Sequence, residues 1–330
     1  VFRKAIDTLA EDEVNCGISF TYAGDMTGVY NDLNLLNPSL TKLVKWGALF
    51  GGAVSFMMFK GLKDEDYAKP IDYAKIKAGG NVMRMYVADR WYGCSQDGTK
   101  NVTRMTDDDF SKPRFYNIMF PDGKCIKVHH SYILRYEHRD APAFMKNGML
   151  QGWGYAEGAH ILNEIVYNDK LKSSAQSLID KALIEVIHMP GMRGIFMGTD
   201  SKNKEQLQKR LEMVVWARNN NSLTFLDSSD QYEKNEFGGL AGLADLLEQN
   251  RWQIAAALDM QGILYGDMKN GMGSDTQAIP SYNKTINGRC NAYYRPVLTK
   301  LCKVLFKMHD INETPIYTFN AIYKDQSDSA

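Results

Sequence analysis

Six histidines, at positions 129, 130, 138, 160, 188 and 309, and five cysteines, at 16, 94, 125, 290 and 302, are the side chains of this 330-residue chain best suited to metal, proton-transfer or nucleophilic chemistry. A metal centre needs such ligands close together. The chain contains no His-Glu-x-x-His and no Cys-x-x-Cys, and its odd, scattered cysteines read as free thiols in a reducing cytoplasm. The carboxylate run Asp107-Asp108-Asp109 reads as a solvated turn, not a metal cage. Gly266-Asp267-Met268-Lys269-Asn270-Gly271 could turn backbone N–H groups toward a phosphate, but no Gly-Lys-Ser/Thr follows and no strand leads directly into a helix there. Gly-x-Ser-x-Gly is absent, which removes a hydrolase nucleophile elbow. His129-His130-Ser131 supplies one His-x-Ser motif of the two that a two-histidine phosphoesterase needs, one imidazole as base and the other as acid. No second copy exists, so His129 reads as a strand residue near the surface. The expectation is no catalytic residue, no metal and no cofactor.

Bulk composition narrows the classes further. Hydrophobic residues make up 44% and charged residues 24%, a globular balance, and the length suits about two domains with a sizeable core. Lys+Arg and Asp+Glu balance at 39 each. Tight nucleic-acid binding needs clustered cations, and the chain has no Lys/Arg block. A surface past which DNA slides without sticking remains compatible. The most apolar stretch, Trp46 to Phe59, is shorter than the roughly 20 residues that cross a bilayer and suits a buried strand or short helix. The chain starts without Met and ends inside patterned sequence, as a fragment of a longer protein would.

The elements that would carry these residues fall into a mixed first half and a helical second half. Ile6, Leu9 and Val14 sit at amphipathic-helix spacing within residues 1 to 14. Asn37-Pro38-Ser39 predicts a turn and a helix start with Ser39 as N-cap. Residues 82 to 92 and 115 to 136 are strand-like, the latter broken by a hairpin turn at Pro121-Asp122-Gly123. Apolar spacing from Gly158 to Ile187 predicts a helix about 45 Å long, ended by Met189-Pro190. A small insert follows: strands near 192–198 and 222–227 about a charged helix from Lys202 to Arg218. A return helix uses Leu240, Leu243, Leu247, Ile254 and Leu258. A glycine-containing loop of about twenty residues then precedes a long helix from Tyr282 to Lys307, kinked where Pro296 crowds the carbonyl of Ala292.

This order of segments, with several local strings, resembles the portal proteins of tailed bacteriophages. Val1 to Gly17 is similar to the family's early helix. Val128-His129-His130-Ser131-Tyr132-Ile133 is similar to its Ile-His-Pro-Ser-Arg-Val strand, with His130 for Pro and Tyr132 for Arg. Trp153-Gly154 stands at the opening of the long helix. Phe237-Gly238-Gly239-Leu240 resembles the start of the return helix, and Leu264-Tyr265-Gly266 the Leu-Phe-Gly of the tunnel loop, although Met260-Gln261-Gly262 lacks the family's proline. Tyr282, Ile286 and Tyr294-x-Pro296-x-Leu298 match the kinked helix.

The resemblance implies an α+β portal fold. Its parts would be a wing (1–157), a first stem helix (158–187), a small α/β clip (188–236), a second stem helix (237–259), a tunnel loop (260–281) and a kinked helix returning to the wing (282–330), with the crown missing. It also implies a ring, dodecameric in the family, at one capsid vertex. Its partners would be the major capsid protein, the large terminase during packaging, a head–tail adaptor afterwards, and double-stranded DNA in the channel. The place of action would be the virion, and the host cytoplasm during assembly. Lys269, Asn270, Met272, Ser274 and Gln277 are the expected channel-lining residues, with a solvated loop tip as the alternative for Lys269 and Asn270. Lys202, Lys204, Lys209 and Arg210 are the expected clip contacts. The alternative to a portal is a phage-encoded nucleotide- or DNA-processing phosphoesterase.

Overall fold

The computed structural model describes residues 2–22, 24–80, 82–97, 101–182, 185–188, 197, 202, 204–209, 211–212, 231–234, 242–257 and 275–322. The chain divides into two units, residues 1–165 with 252–330, and residues 166–251.

In the first unit, α1 (Phe2–Asn15) buries the expected stripe of Ile6, Leu9 and Val14, and β1 (Ile18–Phe20) follows. The turn expected at Asn37-Pro38-Ser39 does not form. Instead α2 (Thr27–Phe50) runs straight through, with Pro38 inside it and Ser39 in mid-helix. An interior proline costs roughly 3 kcal/mol, but Leu33, Leu36, Leu40 and Leu43 are buried along this helix, each contributing about 1.5–3 kcal/mol. Tertiary burial outweighs the local breaker.

The apolar run from Trp46 splits between two elements. Gly51, at φ 82°, ends α2 in the left-handed region and turns the chain into β2 (Gly52–Phe59). Next come α3 (Tyr73–Ala78), β3 (Met83–Asp89), β4 (Cys94–Gln96), β5 (Phe115–Met119), β6 (Cys125–His129) and β7 (Ile133–Glu137). β2 is the middle strand of one antiparallel sheet, β3-β2-β7, and β5 of another, β4-β5-β6. The Pro121-Asp122-Gly123 hairpin forms as expected, with Gly123 at φ 83° and the Phe120 N–H donating to the Lys124 carbonyl at 2.9 Å.

After α4 (Ala143–Asn147), α5 (Glu157–Ala182) is the expected long helix, but it does not reach Ile187. Residues 185 to 188 form β8 (Glu185–His188), antiparallel to β9 (Gln231–Lys234). Two β-branched residues in succession, Val186 and Ile187, favour the ladder over a last helical turn. The strands expected near 192–198 and 222–227 lie outside the described residues, save helical position 197. Positions 204–209 and 211–212 are helical, within the charged helix expected there. In this second unit Asn250 donates to Asn168 Oδ1 at 3.0 Å.

The return helix is α6 (Leu243–Ala257). The last helices are α7 (Asp275–Arg289), a π-helical turn (Cys290–Tyr294) and α8 (Arg295–Met308), before β10 (Tyr317–Phe319) pairs with β1. α7 begins within the expected loop and carries Pro280, so Gln277 is helical and not on a loop. The expected kink at Pro296 takes the form of the π turn. Pro296 lies at the second position of α8, where its missing N–H costs least, and the widened turn ahead of it replaces the clash. Val297, Leu298, Leu301 and Leu305 of α8 are buried in one cluster with Leu36, Leu40, Phe56, Leu134 and Tyr136.

Candidate functional site

The roots of α5 and α7 meet α1 in a buried network of charges, all within the first unit. Glu157, the first residue of α5, is fully buried. Its carboxylate accepts from Arg139 Nη2 at 2.9 Å and Nε at 3.0 Å, and from His138 Nε2. Arg289, the last residue of α7, lies 3.7 Å from Glu157 and donates from Nε to Glu13 of α1 at 2.8 Å. Tyr136 donates to the other Glu13 oxygen at 3.1 Å. Two carboxylates and two guanidiniums therefore balance inside the protein, as buried charges must.

Electrostatics fix the protonation states. Burial alone would raise the Glu157 carboxyl, but the bonds from His138 and Arg139 and the Arg289 charge hold it well below the usual carboxylate range. Burial works against the charge on Arg289, and Glu13 and Glu157 more than reverse that. His138 is pushed down, chiefly by burial, in spite of Glu157. With the Glu157 carboxylate ionised, the bond between the two needs a proton on His138 Nε2.

Close backbone approaches set this geometry. The Gly51 carbonyl accepts from the N–H groups of both His138 (3.3 Å) and Gly154 (3.1 Å). A Cβ at Gly154 would fall 1.7 Å from the His138 carbonyl oxygen, so only glycine lets this loop pack against the start of β2. Beside it Trp153 is buried under the Arg135 guanidinium, 3.8 Å above its ring. The helix itself opens four residues later, at Glu157.

A second cluster fastens the 107–112 loop to α8. Asp109 is 6% exposed and so is not the solvated turn residue expected from its run; Asp108 is the exposed member, paired with Lys303. Asp109 Oδ2 bonds His130 Nδ1 at 3.0 Å and Lys300 Nζ, and Lys300 also donates to the His130 carbonyl at 2.8 Å. Burial would raise Asp109; the His130 bond and the Lys300 charge outweigh it and hold the acid low. Asp107, Asp109 and His130 bring ligand atoms within 4.8 Å of one another. A metal does not fit, because the Lys300 ammonium already neutralises the oxygen it would need.

His129 is 5% exposed, a correction to its expected place near the surface. Its Nδ1 lies 3.0 Å from Ser131 Oγ, and burial pushes its pKa down to about 4. Of the expected channel residues, Lys269, Asn270, Met272 and Ser274 lie outside the described residues, as does the side chain of Gln277. Of the expected clip residues, Lys202, Lys204 and Lys209 are exposed, Lys209 pairing with Glu205 at 2.8 Å, and Arg210 lies outside the described residues. Among the described residues no helix is long and apolar enough to cross a membrane. Sequence reasoning missed Glu13, Glu157 and Arg289.

The fold is similar to that of a chain in the virion of a native gene transfer agent particle, at 12% identity and TM-score 0.56, over 96% of this chain and 78% of that one. A chain from the neck of the native particle, computed with C12 symmetry, gives 12% identity and TM-score 0.52 over 96% and 78%. Among curated relatives, an uncharacterized protein of Haemophilus influenzae is 25% identical over 82% of this chain and 59% of its own length. A Caulobacter protein named Anti-CBASS protein Acb1 is 23% identical over 80% of this chain and 42% of its own. The chain thus spans about half the length of these relatives. The sequence model of the phage portal protein family matches residues 1–329. This chain belongs to the phage portal protein family.

Proposed function

We propose that the chain is the subunit of a portal ring, the channel at one capsid vertex for genome packaging, head–tail joining and DNA ejection. The family match over residues 1–329 carries this reading. Two features support it. Leu162, Val166, Tyr167 and Leu178 of α5 and Leu246 and Trp252 of α6 are exposed. Apolar helix faces left to water are what a neighbouring subunit covers. The zero net charge suits a channel through which DNA must slide, since a strongly cationic throat would hold it by counterion release.

On this reading the ring has twelve subunits, by analogy with the C12 neck, and works in the virion after assembly in the host cytoplasm. The long helices are stems, and residues 188–236 are the clip, docking the large terminase and later a head–tail adaptor. Residues 260–281 line the narrowest part of the channel, while the wing faces the major capsid protein. The buried charge junction fixes the stem roots to the wing. Deleting residues 268–274 is expected to preserve the ring and reduce packaged or retained DNA. The measurement is DNA length per particle for rings of equal assembly state. Full genomes retained across ionic strength would reduce that loop to a connection and remove the roles of Lys269 and Asn270.

A further inference from the structure

All the cysteines are free, yet two face each other. Cys16, just past α1, and Cys290, the first residue of the π turn, place their Sγ atoms 3.5 Å apart although they are 274 positions apart in sequence. Both thiols also reach the same acceptor, the Glu13 carbonyl, at 3.1 and 3.5 Å. They are 4% and 0% exposed. Cys94 and Cys302 are buried in a different hydrophobic cluster from this pair, and Cys125 is on the surface. Nothing in the portal reading uses this pairing.

We propose that Cys16 and Cys290 are a redox modification site, closing into an intrachain disulfide when the protein meets hydrogen peroxide and so stapling α1 to the π turn. Cys16, the less buried of the two, reacts first. Its sulfur displaces hydroxide from the peroxide to give the sulfenic acid and one water. The Cys290 sulfur then attacks the Cys16 sulfur, and the Cys290 proton leaves with the hydroxyl as a second water. Two thiols are oxidised and one peroxide is reduced. The hydrogen bond with Cys16, and then burial, hold the Cys290 thiol protonated, so closure is slow and follows attack at Cys16.

The sulfurs must approach by on the order of 1.5 Å to reach bonding distance, and the π turn, an irregularity in the helix, is the element placed to yield. The staple would lock the contact that also carries the Glu13–Arg289 pair. It would stay open in a reducing cytoplasm and close outside it.

The test treats the full chain with hydrogen peroxide, blocks remaining thiols with iodoacetamide, and maps peptides by mass spectrometry. The expected product links the Cys16 and Cys290 peptides, reverts with dithiothreitol, and lowers the thiols titratable in denaturant by two. Melting temperature should rise by roughly 5–10 °C on oxidation, in the parent chain and in Cys125→Ser, but not in Cys16→Ser. Sulfinic acid at Cys16 without the linked peptide, or linkage only through Cys125, would overturn the assignment. So would an unchanged thiol titre. The peptide map of the parent chain decides the matter even if Cys16→Ser folds poorly.

Discussion

Replacing Glu157 should loosen the junction more than its position at a helix start suggests. Glu157→Ala removes the acceptor of three hydrogen bonds, two from Arg139 and one from the fully buried His138, and leaves Arg289 with Glu13 alone. Breaking a buried charge network from one side costs about 3–5 kcal/mol, a large share of the 5–15 kcal/mol that holds a typical domain together. Glu157→Gln keeps the volume and one acceptor but loses the charge, so about 2 kcal/mol is expected, the difference between charged and neutral hydrogen bonds. Urea unfolding followed by tryptophan fluorescence, at one protein concentration, reads both values. Arg289→Met provides the cycle, and the double variant should recover at least about 1 kcal/mol of coupling. A Glu157→Ala chain within about 0.5 kcal/mol of the parent, or strict additivity with Arg289→Met, would refute the claim that these charges act together.

Acid should weaken the first unit in two windows. His129 titrates near 6.5 when unfolded and near 4 when folded, so between those values the unfolded chain takes a proton that the folded chain refuses. Stability is complete above pH 6.5 and falls toward pH 4, and His129→Gln should flatten part of that slope in melting temperature against pH. The same loss in His129→Gln would remove His129 as its source. Glu157 and Asp109 are held below their ordinary 4.5 and 3.8. Their contribution is present above those values and drains away as pH falls through the lower, folded ones. Reversing Lys209 and Arg210 to glutamate should leave the ring intact and weaken terminase docking in a pull-down. Unchanged docking would move the clip surface elsewhere.

Much of the first unit was legible in periodicity. The α1 stripe and the β5–β6 hairpin follow from local rules and form as expected. Pro38 misled because a strong local breaker was overruled by leucines buried against α8 and the sheets, which no window of sequence contains. The end of α5 misled because Val186 and Ile187 fit either period, and their partner strand lies more than forty residues downstream. The charge junction left a faint signal. Glu13 falls four residues after Leu9, and Arg289 three after Ile286, so both charges lie on the buried stripes of their helices. A charge on an apolar stripe announces a partner. Four separate segments supply those partners, so their identity became readable only from the fold. Asp109 is similar, its Lys300 lying 191 positions away.

The proposed portal works as a ring. The direct measurement is end-on electron microscopy of purified full-length protein, with mass by light scattering across salt concentrations. A portal ring should show particles with a central hole and, for twelve copies of a subunit at least as large as this 37.4 kDa chain, a mass of several hundred kilodaltons. Its exposed α5 and α6 faces would be covered in that state, so Leu162→Glu with Trp252→Glu should shift the mass toward monomer. A parent protein that stays monomeric at every salt concentration, with no holed particles in projection, would contradict the portal reading.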